Sequence, residues 1–349
     1  MTTALREALH DQLERVEVPT GDLAGVRRRG RRVRVRRRAT AGGAGVLAAG
    51  IVAGLLALQH GGGPTAERGV EPLGGLDYSQ GLRAYADPGV EVHLGGRTFP
   101  YGDLQGLDTD AATTPVGIVY YDHGVPLLLD SSGRSRELEP GAETGGFAPT
   151  AKADSVNPWV AYGAVLDGHP TVVVRDTGTG EEVGHRRVSE DTVIDALHDG
   201  VVMLRDADGT VAWDTGSGTV EDVAGPRTRI ADVQGSVMLY DGPRPDGPGA
   251  SAYQLVQGGV DAQLTFDGQF VLYWSPVLES TGSGGPLRLA LPKNATWFTI
   301  DTDGSILAAV PKPGGGATIY DCPESTDACE LLGTISGRGG DPMFIGNDM

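Results

Sequence analysis

The sequence contains very little cysteine, and what it has is poorly placed for metal binding. Only two of its 349 residues are cysteines, Cys322 and Cys329, and both lie near the C-terminus. A zinc-binding anti-sigma domain at the N-terminus would need clustered Cys and His ligands, and His10 is the only candidate there. Hydrophobic residues make up just 39% of the chain, which argues against a long helical bundle.

Catalytic and cofactor motifs are missing as well. No serine has glycine at both −2 and +2, and neither H-E-x-x-H, a phosphate-binding P-loop nor a sialidase Asp-box occurs. Residues 206–209 and 301–304 resemble half of a calcium loop, but Asp and Gly are also the expected residues of hairpin turns. We therefore predict a protein without enzymatic activity, cofactor or metal. A pair of carboxylates that cleaves glycans could lie among the 41 acidic residues beyond residue 38, because sequence spacing does not reveal such a pair.

Charge is divided unequally along the chain. Residues 1–38 hold 11 Arg against 5 acidic residues, a net charge of +6, while the remainder holds 17 basic and 41 acidic residues, a net charge of −24. An acidic bulk repels phosphates, so nucleic acid is not the predicted partner. The basic residues are concentrated in one cluster that comprises Arg27, Arg28, Arg29, Arg31, Arg32, Arg34, Arg36, Arg37 and Arg38.

An uncharged segment, residues 39–59, follows the arginine cluster directly. About 20 helical residues cover the ~30 Å hydrocarbon core of a bilayer, and positive flanks stay cytoplasmic. The pattern predicts a single-pass anchor with a cytoplasmic N-terminus, its arginines facing anionic lipid headgroups. A buried core helix and a cleaved signal peptide are the alternatives. Gly50 and Gly54 form a GxxxG pattern through which two such helices could dimerise.

Residues 4–16 predict a short amphipathic helix that ends before Val18-Pro19. An isolated helix of this length is marginal in water, so it needs a surface: the membrane, a partner or a second copy. This helix is the basis for a second functional hypothesis, in which an external domain senses and the helix reports to a cytoplasmic partner.

From about residue 90 onward, short β-rich runs alternate with Gly- and Asp-containing turns. Asp-Gly dipeptides, the strongest short hairpin signal, begin at residues 167, 199, 208, 241, 246, 267 and 303. In three similar units the third strand is predicted to end at Asp130, Asp176 and Asp214, spacings of 46 and 38 residues. A period near 40–45 residues with four strands per unit is typical of a β-propeller.

Six units are recognisable, and the two ends of the region each hold unpaired strand-like segments. Joining the segment 341–348 with the segments near residues 90–101 in one blade would close the ring without open edges. We therefore predict an all-β propeller of seven blades, with six blades or a pair of β-sandwiches as alternatives.

The repeats resemble known propeller families. Trp213-Asp214 is similar to the dipeptide of WD-repeat propellers, and residues 172–183 resemble the strand-turn-strand of bacterial YVTN-type propellers. The whole chain resembles single-pass membrane proteins of high-G+C Gram-positive bacteria, which join an Arg-rich cytoplasmic tail to an external propeller. The use of 25 Arg against 3 Lys agrees with such a source. The resemblance implies placement and fold, and it carries no activity.

These observations predict four segments: a cytoplasmic segment 1–38, a transmembrane helix 39–59, a Gly/Pro linker 60–75 and an extracellular propeller 76–349. Outside the cell, an oxidising environment favours a disulfide between Cys322 and Cys329. The predicted function is a non-enzymatic binding module whose propeller loops contact a protein or small ligand. The alternatives are the transmembrane sensor and an external glycan hydrolase or lyase.

Overall fold

The computed structural model describes residues 81–100, 111–140, 142–143, 147, 149–259, 262–292, 294–324, 328–338, 341 and 343–345. All of them belong to one unit, Arg68–Met349. The predicted anchor 39–59, the arginine cluster, the helix 4–16, the Gly50/Gly54 pattern and the segment boundaries lie outside these residues and stay predictions. Within the described residues, no helix is both long and apolar enough to cross a bilayer.

The described chain forms seven small β-sheets, six of them four-stranded, as the sequence predicts for a propeller. Blades 1 and 2 contain β1 (Tyr85–Asp87), β2 (Glu91–Leu94), β3 (Arg97–Pro100), β4 (Ala112–Thr114), β5 (Gly117–Asp122), β6 (Val125–Asp130) and β7 (Ser135–Glu137). Blades 3 and 4 contain β8 (Lys152–Ala153), β9 (Trp159–Leu166), β10 (His169–Asp176), β11 (Glu182–Arg187), β12 (Val193–His198), β13 (Val201–Arg205), β14 (Thr210–Asp214) and β15 (Val220–Ala224). Blades 5 to 7 contain β16 (Arg229–Gln234), β17 (Val237–Asp241), β18 (Gln254–Gln257), β19 (Gln263–Leu264), β20 (Phe270–Leu272), β21 (Val277–Ser280), β22 (Leu287–Arg288), β23 (Trp297–Ile300), β24 (Ile306–Pro311), β25 (Ala317–Cys322) and β26 (Glu330–Ile335).

The last strand, β27 (Met343–Phe344), closes the ring. It pairs antiparallel with β1, Phe344 opposite Tyr85 and Met343 opposite Ala86, and so becomes the first strand of blade 1. The prediction that the two ends of the region share a blade is therefore confirmed. This pairing covers the edge of β1 that would otherwise have no partner.

Among the described residues there are seven buried apolar clusters, and each one lies between two consecutive blades, including the pair formed by blades 7 and 1. Side chains of the inner strands alternate between neighbouring clusters: Ile306 and Ala308 pack toward blade 6, while Leu307 and Ala309 pack toward blade 1. Because both faces of these strands are buried, their sequences read as continuous apolar runs. Seven cores arranged in a cycle exclude the β-sandwich alternative.

Five of the seven Asp-Gly dipeptides form the predicted hairpin turns. Asp167-Gly168 and Asp199-Gly200 carry positive φ at both residues (51° and 72°, 46° and 82°), as a type I′ turn requires. The dipeptides at 208, 267 and 303 also lie between consecutive antiparallel strands. The hairpin interpretation of the turns at 206–209 and 301–304 is thereby confirmed.

Blade 5 departs from the predicted pattern, because it has three strands and its last pair, β17 and β18, is parallel. The dipeptides at 241 and 246 belong to the connection between these strands and not to hairpins. This connection contains Pro243, Pro245 and Pro248, which lack the N–H that a ladder needs. Its Gly247 N–H donates to Val223 O of β15, so the segment packs on blade 4 in place of a third antiparallel strand.

Candidate functional site

One face of the ring gathers the turns that join the first and second strands of the blades. We call it the AB face; in the described chain it includes the turns at 154–158, 199–200, 235–236, 265–269 and 301–305. Because strands in each blade alternate in direction, the turns between third and fourth strands lie on the same face, farther from the axis. The AB face therefore collects side chains from distant parts of the sequence.

The three aspartates that end the third strands organise the outer turns of the AB face. Asp176 Oδ1 accepts the N–H groups of Gly178 (2.8 Å) and Thr179 (3.0 Å), and Asp214 Oδ1 accepts those of Gly216 and Ser217 (both 2.9 Å). Asp130 holds the corresponding turn in blade 2 through the N–H groups of Ser132 and Arg134. The WD-like Asp214 is thus a turn-forming residue, and the predicted strand ends are confirmed.

Nearer the axis, polar side chains of one blade satisfy backbone N–H groups of the next. Asp195 Oδ2 accepts from Ile230 N at 3.2 Å, Asp232 Oδ2 from Leu264 N at 2.8 Å, and Gln263 Oε1 from Ile300 N at 3.2 Å. The inner edge of a propeller strand has no ladder partner, and an unsatisfied buried N–H is costly. These bonds join blades 4, 5, 6 and 7 along the axis. Burial raises the pKa of both Asp195 and Asp232.

A serine and a histidine meet on the AB face where blades 3, 4 and 5 converge. Ser155 Oγ lies 3.3 Å from His198 Nδ1 and donates to Gln234 Oε1 at 2.5 Å. His198 Nε2 accepts the N–H of Gly235 at 2.8 Å. We refer to Ser155, His198 and Gln234 as the Ser–His cluster.

The hydrogen bonds of the Ser–His cluster fix where the histidine carries its proton. In neutral imidazole one nitrogen donates and the other accepts, so accepting at Nε2 places the proton on Nδ1, the nitrogen that faces Ser155. A general base for a nucleophilic serine needs a lone pair at that position instead. In this arrangement the cluster links three blades and does not activate the serine hydroxyl.

A second cluster lies at the junction of blades 7 and 1, which we call the seam; it comprises Arg83, Asp301, Asp303, Asp321 and Glu330. Asp301, 3% exposed, accepts the N–H groups of Leu82 (3.1 Å) and Arg83 (2.8 Å). The guanidinium of Arg83 contacts Asp321 (2.9 Å) and Glu330 (2.8 Å). Burial and, secondarily, the charge of Asp303 raise the pKa of Asp301 to about 6. Within the described residues, no group of three or more His, Cys, Asp or Glu is arranged to hold a metal.

The predicted disulfide is present between Cys322 and Cys329, with Cα atoms 4.2 Å apart. Cys322 ends β25, the third strand of blade 7, and therefore occupies the position that Asp130, Asp176 and Asp214 occupy in blades 2, 3 and 4. In blades 2, 3 and 4 an aspartate carboxylate accepts hydrogen bonds from the N–H groups of the following turn. In blade 7 a covalent bond closes the corresponding turn. Of the site residues predicted from sequence, only this pair lies in the described chain.

Sequence reasoning did not single out the residues that join the blades. Arg83 and its carboxylate partners are separated by 218–247 positions, and Ser155 and Gln234 by 79. No local pattern marks such pairs. The nearest available signal was the Asp-Gly turn itself, which places Asp199, Asp267 and Asp303 on turns without showing that these turns share one face.

The chain matches no protein-family model and no curated protein sequence. Among solved structures it is similar to PorZ, a surface component of the type-IX secretion system of Porphyromonas gingivalis (9% identity, TM-score 0.27, covering 64% of this chain and 28% of that one). It is also similar to protein lmo1340 of Listeria monocytogenes EGD-e (10%, 0.28, 66% and 67%). A third match is the extracellular domain of the hybrid two-component system BT4673 of B. thetaiotaomicron (10%, 0.28, 75% and 34%). The chain thus spans about a quarter to a third of the first and third structures, and at these scores no function is transferred from them.

Proposed function

We propose that the chain is a non-enzymatic binding module, anchored in the membrane by residues 39–59, whose external propeller receives a partner on its AB face. The observation that carries the proposal is that the potentially reactive side chains of that face form hydrogen bonds between blades. Ser155, His198, Asp232 and Asp301 are each engaged in bonds between blades. The face therefore offers shape and charge to a ligand rather than an activated nucleophile or base.

The charge of the AB face supports a cationic partner. Asp199 and Asp267 are exposed in turns that join the first and second strands of blades 4 and 6. The chain beyond residue 38 carries a net charge of −24. A negative face attracts positively charged ligands and accelerates their encounter, an effect that salt weakens. A protein or peptide with a basic surface is the class of partner that this chemistry favours.

The proposal is tested by the binding of a fluorescent lysine-rich peptide to the full-length chain in uncharged detergent. Asp199→Asn combined with Asp267→Asn should weaken binding about fivefold to tenfold at low salt, because two charges near the contact are removed. The matched control is Asp122→Asn combined with Asp167→Asn, which removes two exposed charges from the opposite face. The assignment of the AB face would be contradicted if the two double variants weakened peptide binding equally. It would also be contradicted if the unchanged chain did not bind the peptide.

A further inference from the structure

The chain enters blade 1 through a residue that is held in an unfavourable conformation. Arg83, two positions before β1, has φ +52°, in the left-handed region that non-glycine residues rarely adopt. Its N–H donates to Asp301 Oδ2 at 2.8 Å, and its side chain crosses to the outer strands of blade 7. A strained residue persists only when its surroundings hold it, so these contacts maintain the entry to β1.

Two carboxylates form salt bridges with the Arg83 guanidinium, and the pairing of their strands places them side by side. Asp321 of β25 lies directly opposite Glu330 of β26 in the antiparallel register. Arg83 Nη2 donates to Asp321 Oδ2 at 2.9 Å and to Glu330 Oε2 at 2.8 Å. Asp321 is buried whereas Glu330 is exposed on an outermost strand, so the position of Glu330 depends on how firmly β26 is held to β25.

The disulfide is the next rung of the same ladder. Cys322 follows Asp321 and Cys329 precedes Glu330. The covalent bond therefore lies immediately beyond the two carboxylates that bind Arg83. Cys322 is fully buried among the apolar residues between blades 6 and 7, while Cys329 is partly exposed. The bond therefore ties the exposed partner of the pair, at the start of β26, to a strand that the core already fixes.

We propose that the Cys322–Cys329 disulfide is a redox-controlled lock on the seam, through which the thiol state of blade 7 sets how firmly blade 1 is closed. A dithiol reductant attacks Sγ of Cys329, the less buried of the two cysteines, and Cys322 leaves as a thiolate that takes a proton. The reductant's second thiol then releases Cys329, so two electrons and two protons pass to the protein and the reductant becomes a disulfide.

Reduction acts on closure through Arg83. When Cys329 is no longer bonded to Cys322, the first residues of β26 can separate from β25, and Glu330 moves away from Asp321. Arg83 then keeps one carboxylate of two and loses part of what holds it in the left-handed conformation. Because β1 follows this segment and pairs with β27, loosening spreads to the strand pair that closes the ring.

Hydrogen exchange of the full-length chain, measured by mass spectrometry at pH 7.5 with and without dithiothreitol, tests the proposal. This pH is above the value of about 6 for the pKa of Asp301, so its charge stays constant. Reduction should raise exchange of the peptide covering 81–87 about fivefold and leave β10 of blade 3 unchanged. Cys322→Ser combined with Cys329→Ser should behave like the reduced protein. Faster exchange confined to 323–329 would overturn the proposal.

Combining reduction with a substitution of Arg83 distinguishes two effects of the disulfide: holding the seam closed, and restraining only the residues near the disulfide. Arg83→Gln should raise exchange at 81–87 without reductant, and reduction should then add less than twofold, because the contact through which it acts is already gone. The matched control is Arg134→Gln, which removes an exposed arginine from the turn that corresponds to the disulfide loop in blade 2. Full additivity of reduction and Arg83→Gln would overturn the proposal.

Discussion

Deleting residues 341–349 is expected to leave the propeller without a cooperative unfolding transition. The deletion removes β27, the inner strand of blade 1, together with Phe344 and Ile345, each only 2% exposed. Phe344 belongs to the core between blades 7 and 1, and Ile345 to the core between blades 1 and 2. Burial of each side chain contributes about 1.5–3 kcal/mol, against a total stability of about 5–15 kcal/mol.

Thermal unfolding and size-exclusion chromatography of the full chain measure this effect. The matched control is deletion of residues 346–349 alone, which keeps β27 in place and should leave the unfolding midpoint within a few degrees of the parent. The longer deletion uncovers the edge of β1 that β27 covers, and the protein should aggregate. A sharp, unshifted transition in a monomeric 341–349 deletion would show that the ring does not depend on its last strand.

Glu139→Ala is expected to destabilise the propeller strongly. Glu139 Oε1 accepts the hydroxyl of Tyr162 at 2.5 Å and also bonds to Arg175, whose side chain is 11% exposed. Arg175 Nε donates to Tyr162 Oη at 2.9 Å. Burial alone would lower the pKa of Arg175, yet Tyr162 and Glu139 hold it above its ordinary value. Removing the carboxylate leaves a buried cation with no counter-ion, a loss of about 3–5 kcal/mol.

Urea unfolding of the full chain measures the change in the free energy of unfolding. Glu182→Ala serves as the control, because Glu182 pairs with His185 on the surface and both side chains are more than 40% exposed. An exposed pair of this kind contributes about 0–1 kcal/mol. The interpretation of the Glu139 network would be wrong if the two variants lost equal stability.

The sequence predicts the propeller well because each blade repeats the same local chemistry. Asp176 and Asp214 end third strands, and both are followed by the Thr-Gly-x-Gly that their carboxylates fold into a turn. Antiparallel neighbours joined by short turns need only local information. The seventh blade followed from counting unpaired segments at the two ends, since an open ring would leave strand edges exposed.

Blade 5 and the AB-face clusters could not be predicted in the same way. Asp241-Gly242 has the composition of a hairpin turn, but the prolines that follow prevent the next strand and the chain crosses back as a parallel β18. The Ser–His cluster depends on three blades meeting, and Arg83 meets Asp321 across 238 positions. Such contacts follow from ring closure and not from any local pattern.

Cross-linking the first and last strands tests the closed seven-blade ring most directly. In a full chain carrying Cys322→Ser and Cys329→Ser, one variant adds Ala86→Cys with Met343→Cys, and another adds Tyr85→Cys with Phe344→Cys. These residues are cross-strand partners, and one of two adjacent antiparallel pairs has the closer Cα spacing of about 4.5 Å that a disulfide accepts. Mass spectrometry should find the linked peptide in at least one variant and not in a Val90→Cys, Met343→Cys control. Free thiols in both variants under oxidising conditions would contradict closure between β27 and β1.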